Sequence, residues 1–123
     1  MAGRSLAPCP KRPNCVSSLA GDASHLVEPL ALRVPVERAW PHLRDAVALL
    51  PRTRIVESGD GYLRAEATSR LFRFVDDLEV LHLPGTARID VRSASRVGYS
   101  DLGVNRARVE SLRDALRRAD LVE

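Results

Sequence analysis

Aromatic side chains are scarce in this chain, at 4% of 123 residues, and lysine is nearly absent: of 19 basic residues all but Lys11 are arginine. Few aromatics leave few platforms on which single-stranded bases could stack. The basic residues, which give a net charge of +3, are interspersed with 16 acidic ones from Arg4 to Arg118. A nucleic-acid binder would gather them into a patch, so nucleic acid is not expected as a partner. No apolar run approaches the roughly 18 residues of a bilayer-crossing helix, and no basic-then-apolar leader follows Met1. The expectation is a soluble, cytoplasmic monomer with no membrane span.

Signatures of catalysis are missing too. There is no GxSxG elbow, P-loop, GxGxxG or HExxH, and serines beside a carboxylate make weak nucleophiles without a histidine base. His42 falls off the apolar stripe of its helix, and His82 lies near Pro84-Gly85, remote from the serines discussed below. An enzyme is the least favoured reading. Cys9 and Cys15 stand six apart in CPKRPNC, with only His25 nearby; zinc sites prefer a closer pair and a second pair downstream. No metal and no cofactor is expected. A disulfide between the two is sterically possible, but in a reducing cytosol they are expected as small, buried free thiols that pin the N-terminal segment.

What is present is a single α+β domain. Residues 1–27 contain Pro8, Pro10, Pro13 and Gly21 and follow neither structural period, so they read as irregular chain preceding a domain over 28–123. PLALRVP (29–35) alternates as a strand. Val36, Ala39, Trp40, Leu43, Val47 and Leu50 recur at helical spacing, with Pro41 disturbing the first turns. RTRIVE and YLRAEATS flank SGDG as one hairpin; FRFVDDLEVLHL (72–83) and TARIDVRSAS (86–95) flank Pro84-Gly85 as a second. Val109, Leu112, Leu116 and Ala119 stripe a closing helix over 105–119. The order β-α-β-β-β-β-α implies an antiparallel sheet of four to five strands with both helices packed on one face.

The stretch RSASRVGYSDLGVNR (92–106) breaks the pattern. The face that carries Ile89 and Val91 next carries Ser93 and Ser95. A two-residue loop at Pro84-Gly85 would pair Val80 with Ile89, Leu78 with Val91, Asp76 with Ser93 and Phe74 with Ser95, so the apolar layer would end in a carboxylate and hydroxyls. On the reverse face Asp77 would meet Arg92 favourably, while Glu79 would meet Asp90 unfavourably. A buried Asp76 needs donors, and Ser93, Ser95, Tyr99, Arg96 and Arg106 are the candidates. One reading makes this cluster structural, with Asp101 or Asn105 capping the last helix. The other makes it a small polar site in which Arg92, Arg96 or Arg106 meets an anionic ligand. Its candidate residues are Asp76, Arg92, Ser93, Ser95, Arg96, Tyr99, Asp101, Asn105 and Arg106.

CPKRPNCVSS, HLVEPL, YLRAEATSRLFRFVDDLEV and RSASRVGYSDLGVNRARVE, four blocks in order over about residues 8–118, resemble the DUF1499 family, a bacterial and plastid group without assigned function. The resemblance implies that the Cys, FVDD and SDLGVNR blocks belong to one pattern and meet in space; it implies no reaction. The expected function is a non-catalytic binding module for a small anionic or polar ligand, the alternative a protein-interaction or scaffold domain with a structural polar cluster. Cys9–Ser18 is expected to dock near FVDD and SDLGVNR, with Asn14 hydrogen-bonded there.

Overall fold

The computed structural model describes residues 4–123. Its elements run β1 (Cys15–Ser17), β2 (Leu30–Ala31), α1 (Val36–Ala48), β3 (Thr53–Gly59), β4 (Tyr62–Thr68), β5 (Val75–His82), β6 (Arg88–Ser95) and α2 (Val104–Arg118). The sheet is antiparallel, ordered β1-β6-β5-β4-β3, with β2 also pairing with β6. It has six strands, one more than the largest number expected.

The additional strand lies inside the segment read as irregular. β6 presents an eight-residue outer edge whose backbone groups need partners, and two short pieces share it. Cys15–Ser17 pairs with Arg92–Ala94, and Leu30–Ala31 with Arg88–Ile89. The strand expected over 29–35 is therefore only two residues long. Past Ala31 the chain leaves the edge: Leu32 bridges to Val122, and Pro35 opens α1.

Alternation assigns the core. Leu63 and Ala65 of β4, Leu78 and Val80 of β5, and Ile89 and Val91 of β6 turn to one side, where Ala39, Leu43 and Val47 of α1 and Val109, Leu112 and Leu116 of α2 cover them. Within α1 the buried residues fall four apart, one stripe of the helix. Pro41 sits inside α1 without ending it. So near the start it forfeits one backbone bond, to the Glu37 carbonyl, and the stripe carries the helix past that loss.

The second hairpin corrects the expected register. Val80 faces Val91, Leu78 faces Ser93 and Asp76 faces Ser95, a slip of two residues from the two-residue-loop pairing. The connection is wider because Thr86 donates its amide to the Leu83 carbonyl and its hydroxyl to the same oxygen, closing a four-residue turn outside the ladder. An even slip leaves every side chain on its expected face. It also sets Glu79 against Arg92 instead of Asp90. Phe74, expected opposite Ser95, falls outside β5 and is exposed.

At the first hairpin, Gly61 has φ of 70°, and a Cβ there would crowd the His82 carbonyl oxygen at 3.1 Å, so a substitution is strained by both backbone and contact.

Cys9 and Cys15, expected as free thiols, form a disulfide with Cα atoms 5.7 Å apart. It anchors a strap across the outer face of the sheet, where Leu6 packs with Tyr62 and Leu81, and Arg4 lies 4.3 Å above the Tyr62 ring. Closing so short a loop restricts the unfolded chain by about 2 kcal/mol. Reduction, or the double change Cys9→Ser with Cys15→Ser, is expected to lower the thermal midpoint correspondingly; a midpoint unchanged by reductant would contradict the clip.

Candidate functional site

Where β6 passes from Val91 to Ser93, the helix above it passes from Val109 to Asn105 and Arg108. The hydroxyls on the core face meet polar side chains of α2. Asn105 is fully buried, and its carboxamide makes contacts in every direction. Nδ2 lies 2.7 Å from Asp101 Oδ2, 3.0 Å from Ser95 Oγ and 3.2 Å from the Asn14 carbonyl. Oδ1 accepts from the Ser93 hydroxyl and from the Arg108 guanidinium, each at 2.7 Å.

Arg108 completes the cluster. It donates to Ser93 Oγ at 3.1 Å and to Asp76 Oδ2 at 2.9 Å, with both ions largely buried. The donor that Asp76 requires is thus an arginine outside the candidate set. The signal for it was helical spacing: Arg108 lies three residues after Asn105, on the same face of α2. Asp101 turns its carboxylate back onto the start of α2, accepting from the Gly103 and Asn105 amides at 2.8 and 3.1 Å. This supplies acceptors to helix N-terminal donors, the capping role expected of it.

The N-terminal segment enters the same cluster. Asn14 donates to the Gly98 carbonyl at 2.7 Å, its own carbonyl accepts from the Ser95 amide at 2.9 Å, and the Pro13 carbonyl accepts from the Asp101 amide. The Cys, FVDD and SDLGVNR blocks do meet, through Asn14, Asp76 and Asn105.

The other candidates lie elsewhere. Arg92 and Arg96 project from the opposite face of the sheet. Arg92 pairs with Glu79 at 3.6 Å and reaches the Pro8 carbonyl. Arg96 grips Asp77 through two nitrogens at 2.8 and 2.9 Å and Glu66 at 2.7 Å, and these contacts hold both carboxyls below their usual range. Arg106 donates to the Leu26 and Ser24 carbonyls at 2.8 and 3.0 Å. Tyr99 is exposed on the loop before α2. A depression of about 210 Å³ borders the cluster at Asp101, lined also by Pro13, Ser24 and Arg106, and the Arg106 fork at its rim is committed to backbone.

Asp90 escaped the sequence reading. Nearly fully buried on the outer face, it accepts from Ser18 Oγ at 2.7 Å and pairs with Arg88, while the Ser18 hydroxyl also accepts from the Val91 amide. His25 is a clamp: Nδ1 lies 2.6 Å from Asp22 Oδ2 and Nε2 2.9 Å from the Arg12 carbonyl. Among the described residues no group of three or more His, Cys, Asp or Glu side chains is arranged to hold a metal, and no helix is long and apolar enough to cross a membrane.

These features define an α+β domain whose Cys, FVDD and SDLGVNR blocks converge on an internal polar knot instead of an open cleft. A family model described as a protein of unknown function, DUF1499, matches residues 5–116, and the chain belongs to that family. No curated protein and no solved structure matches it.

Two expectations follow from the geometry. Arg108→Met leaves Asp76 buried without its counter-charge and is expected to cost about 3–5 kcal/mol in urea unfolding. Adding Asp76→Asn should recover part of that loss, and strictly additive costs would show that the pair is not coupled. The second concerns His25, whose pKa is raised, first by the Arg12 carbonyl and then by Asp22. The folded state therefore favours the imidazolium, a stabilisation present in full below the unfolded imidazole value and lost as pH rises through the higher folded value. Unfolding midpoints should fall across that window, and the fall should vanish in His25→Gln.

Proposed function

We propose that the domain is a non-catalytic docking module of the interaction or scaffold kind, whose buried polar cluster is structural and whose work is done at its surface. One observation carries this reading: the Asp76 carboxylate and the Asn105 carboxamide are engaged by Arg108, Ser93, Ser95, Asp101 and Asn14, and none of Arg92, Arg96 or Arg106 turns toward them. A small anionic ligand would have to displace Asp76 from Arg108. The Cys9–Cys15 disulfide further supports an oxidising compartment as the setting in which the domain works, in place of the cytoplasm expected from composition.

The test is native mass spectrometry of protein purified from its own host, beside thermal melts of Asp76→Asn. The expected result is a mass equal to the polypeptide alone and a lowered melting temperature for the variant. A stoichiometric small molecule lost in Asp76→Asn, with the melt unchanged, would refute the structural role and restore the ligand site.

A further inference from the structure

The apolar surface that the fold leaves uncovered is concentrated at one end. Leu71, Phe72 and Phe74 stand on the β4–β5 connection, and Val97, Tyr99 and Leu102 on the β6–α2 connection. These are six of the eleven exposed large apolar side chains among the described residues. The two connections are neighbours, because Asp76 pairs with Ser95 and the Arg96 amide donates to the Val75 carbonyl. Their side chains project: Leu102 is 92% exposed, Leu71 83% and Phe72 72%, with the Phe72 and Phe74 rings stacked 5.6 Å apart.

The charge on the β4–β5 connection has one sign. Arg70 and Arg73 flank Leu71 and Phe72 in SRLFRF, both exposed, and neither is held in an ion pair among the described residues. Of the nearby carboxylates, Glu66 and Asp77 are paired with Arg96, while Asp101, beside Leu102, accepts from neutral amides and keeps its charge. Both connections also hold a non-glycine residue at positive φ, Arg73 at 56° and Leu102 at 56°, a conformation adopted at a steric cost.

We infer that this end docks on an anionic lipid surface, with Leu71, Phe72 and Leu102 entering the interface and Arg70 and Arg73 meeting lipid phosphates. Projecting leucine and aromatic side chains flanked by free arginines suit a fluid, negatively charged surface, which needs no shape-matched groove. The inference rests on the docking reading and names its partner.

The experiment is co-sedimentation of the whole chain with vesicles of phosphatidylcholine alone and of equal parts phosphatidylcholine and phosphatidylglycerol, coupled to photo-cross-linking from a benzophenone amino acid placed at position 72 in the host. Binding is expected only to the anionic vesicles and should weaken with added salt. Arg70→Ala with Arg73→Ala should weaken it on the order of twenty-fold, about five-fold per cation, and Leu71→Ser with Phe72→Ser by about tenfold or more, while both variants keep the parent melting temperature. Lipid adducts should form at position 72. Absence of vesicle binding, or binding that neither pair of changes weakens, overturns the lipid assignment. Cross-links to a protein, or to a second copy of this chain, also overturn it and leave the docking reading standing. No adduct of any kind, together with no vesicle binding, removes both.

Discussion

The Asn105 carboxamide, through its contacts, ties together four parts of the chain. It joins α2, on which it sits, to β6 through Ser93 and Ser95, to the N-terminal segment through the Asn14 carbonyl, and to the turn before α2 through Asp101. In a low-dielectric interior each such bond is strong when made and costly when lost. The apolar stripe of α2 would tolerate small displacements along the sheet, since hydrophobic contact is non-directional. The carboxamide would not, because a shift of an ångström or two breaks several bonds together. Seating of the second helix and of the N-terminal strand thus depends on one polar side chain more than on the leucines around it.

The Asp76–Arg108 pair explains why this knot lies at the end of the core instead of its centre. Two ions need residual solvation, and both keep a small exposure where the sheet and helix separate. Planar guanidinium groups serve the same end throughout. Arg108 spans three acceptors, Arg96 two carboxylates, and Arg113 the Glu28 and Pro29 carbonyls together with Glu110. An ammonium could not bridge such arrays with fixed geometry. The near-exclusive use of arginine has a structural outlet here, whatever its origin.

Much of the fold was legible because the two periods are distinct. The stripe of Leu43 and Val47 and the alternation of Leu78, Val80, Ile89 and Val91 could only be one helix and two strands of a covered sheet. Within the site, Asp76, Ser93 and Ser95 were found because polar residues on an apolar face demand partners, and Asp101 and Asn105 because the start of a helix demands a cap. Arg108 was not, since a run of arginines on a helix reads as a solvated flank until the opposing carboxylate is placed. Alternation puts Arg92 and Arg96 on the face opposite Ser93 and Ser95, where Arg92 was expected to meet Asp77, so neither can also serve the core-face carboxylate as a donor. β1 was hidden for a different reason. Three residues just after a proline-rich run carry no period, and only the unpaired edge of β6 makes them a strand.

The closed knot and the exposed loop end are linked parts of one arrangement. Gly98, whose carbonyl receives Asn14, and Asp101, whose carboxylate receives Asn105, stand on either side of Tyr99, so the loop that projects Tyr99 and Leu102 is rooted in the buried cluster. The neighbouring connection is closed at its base by reciprocal bonds between Ser69 and Phe74, and Arg96 fastens the adjoining strands through Asp77 and Glu66. Apolar tips held on rigid roots lose little conformational entropy when they bind, and this preorganisation favours contact even when the area buried is small. The polar residues that resemble a binding site by composition thus fix the geometry of the side chains that face outward, the ones on which the proposed docking rests.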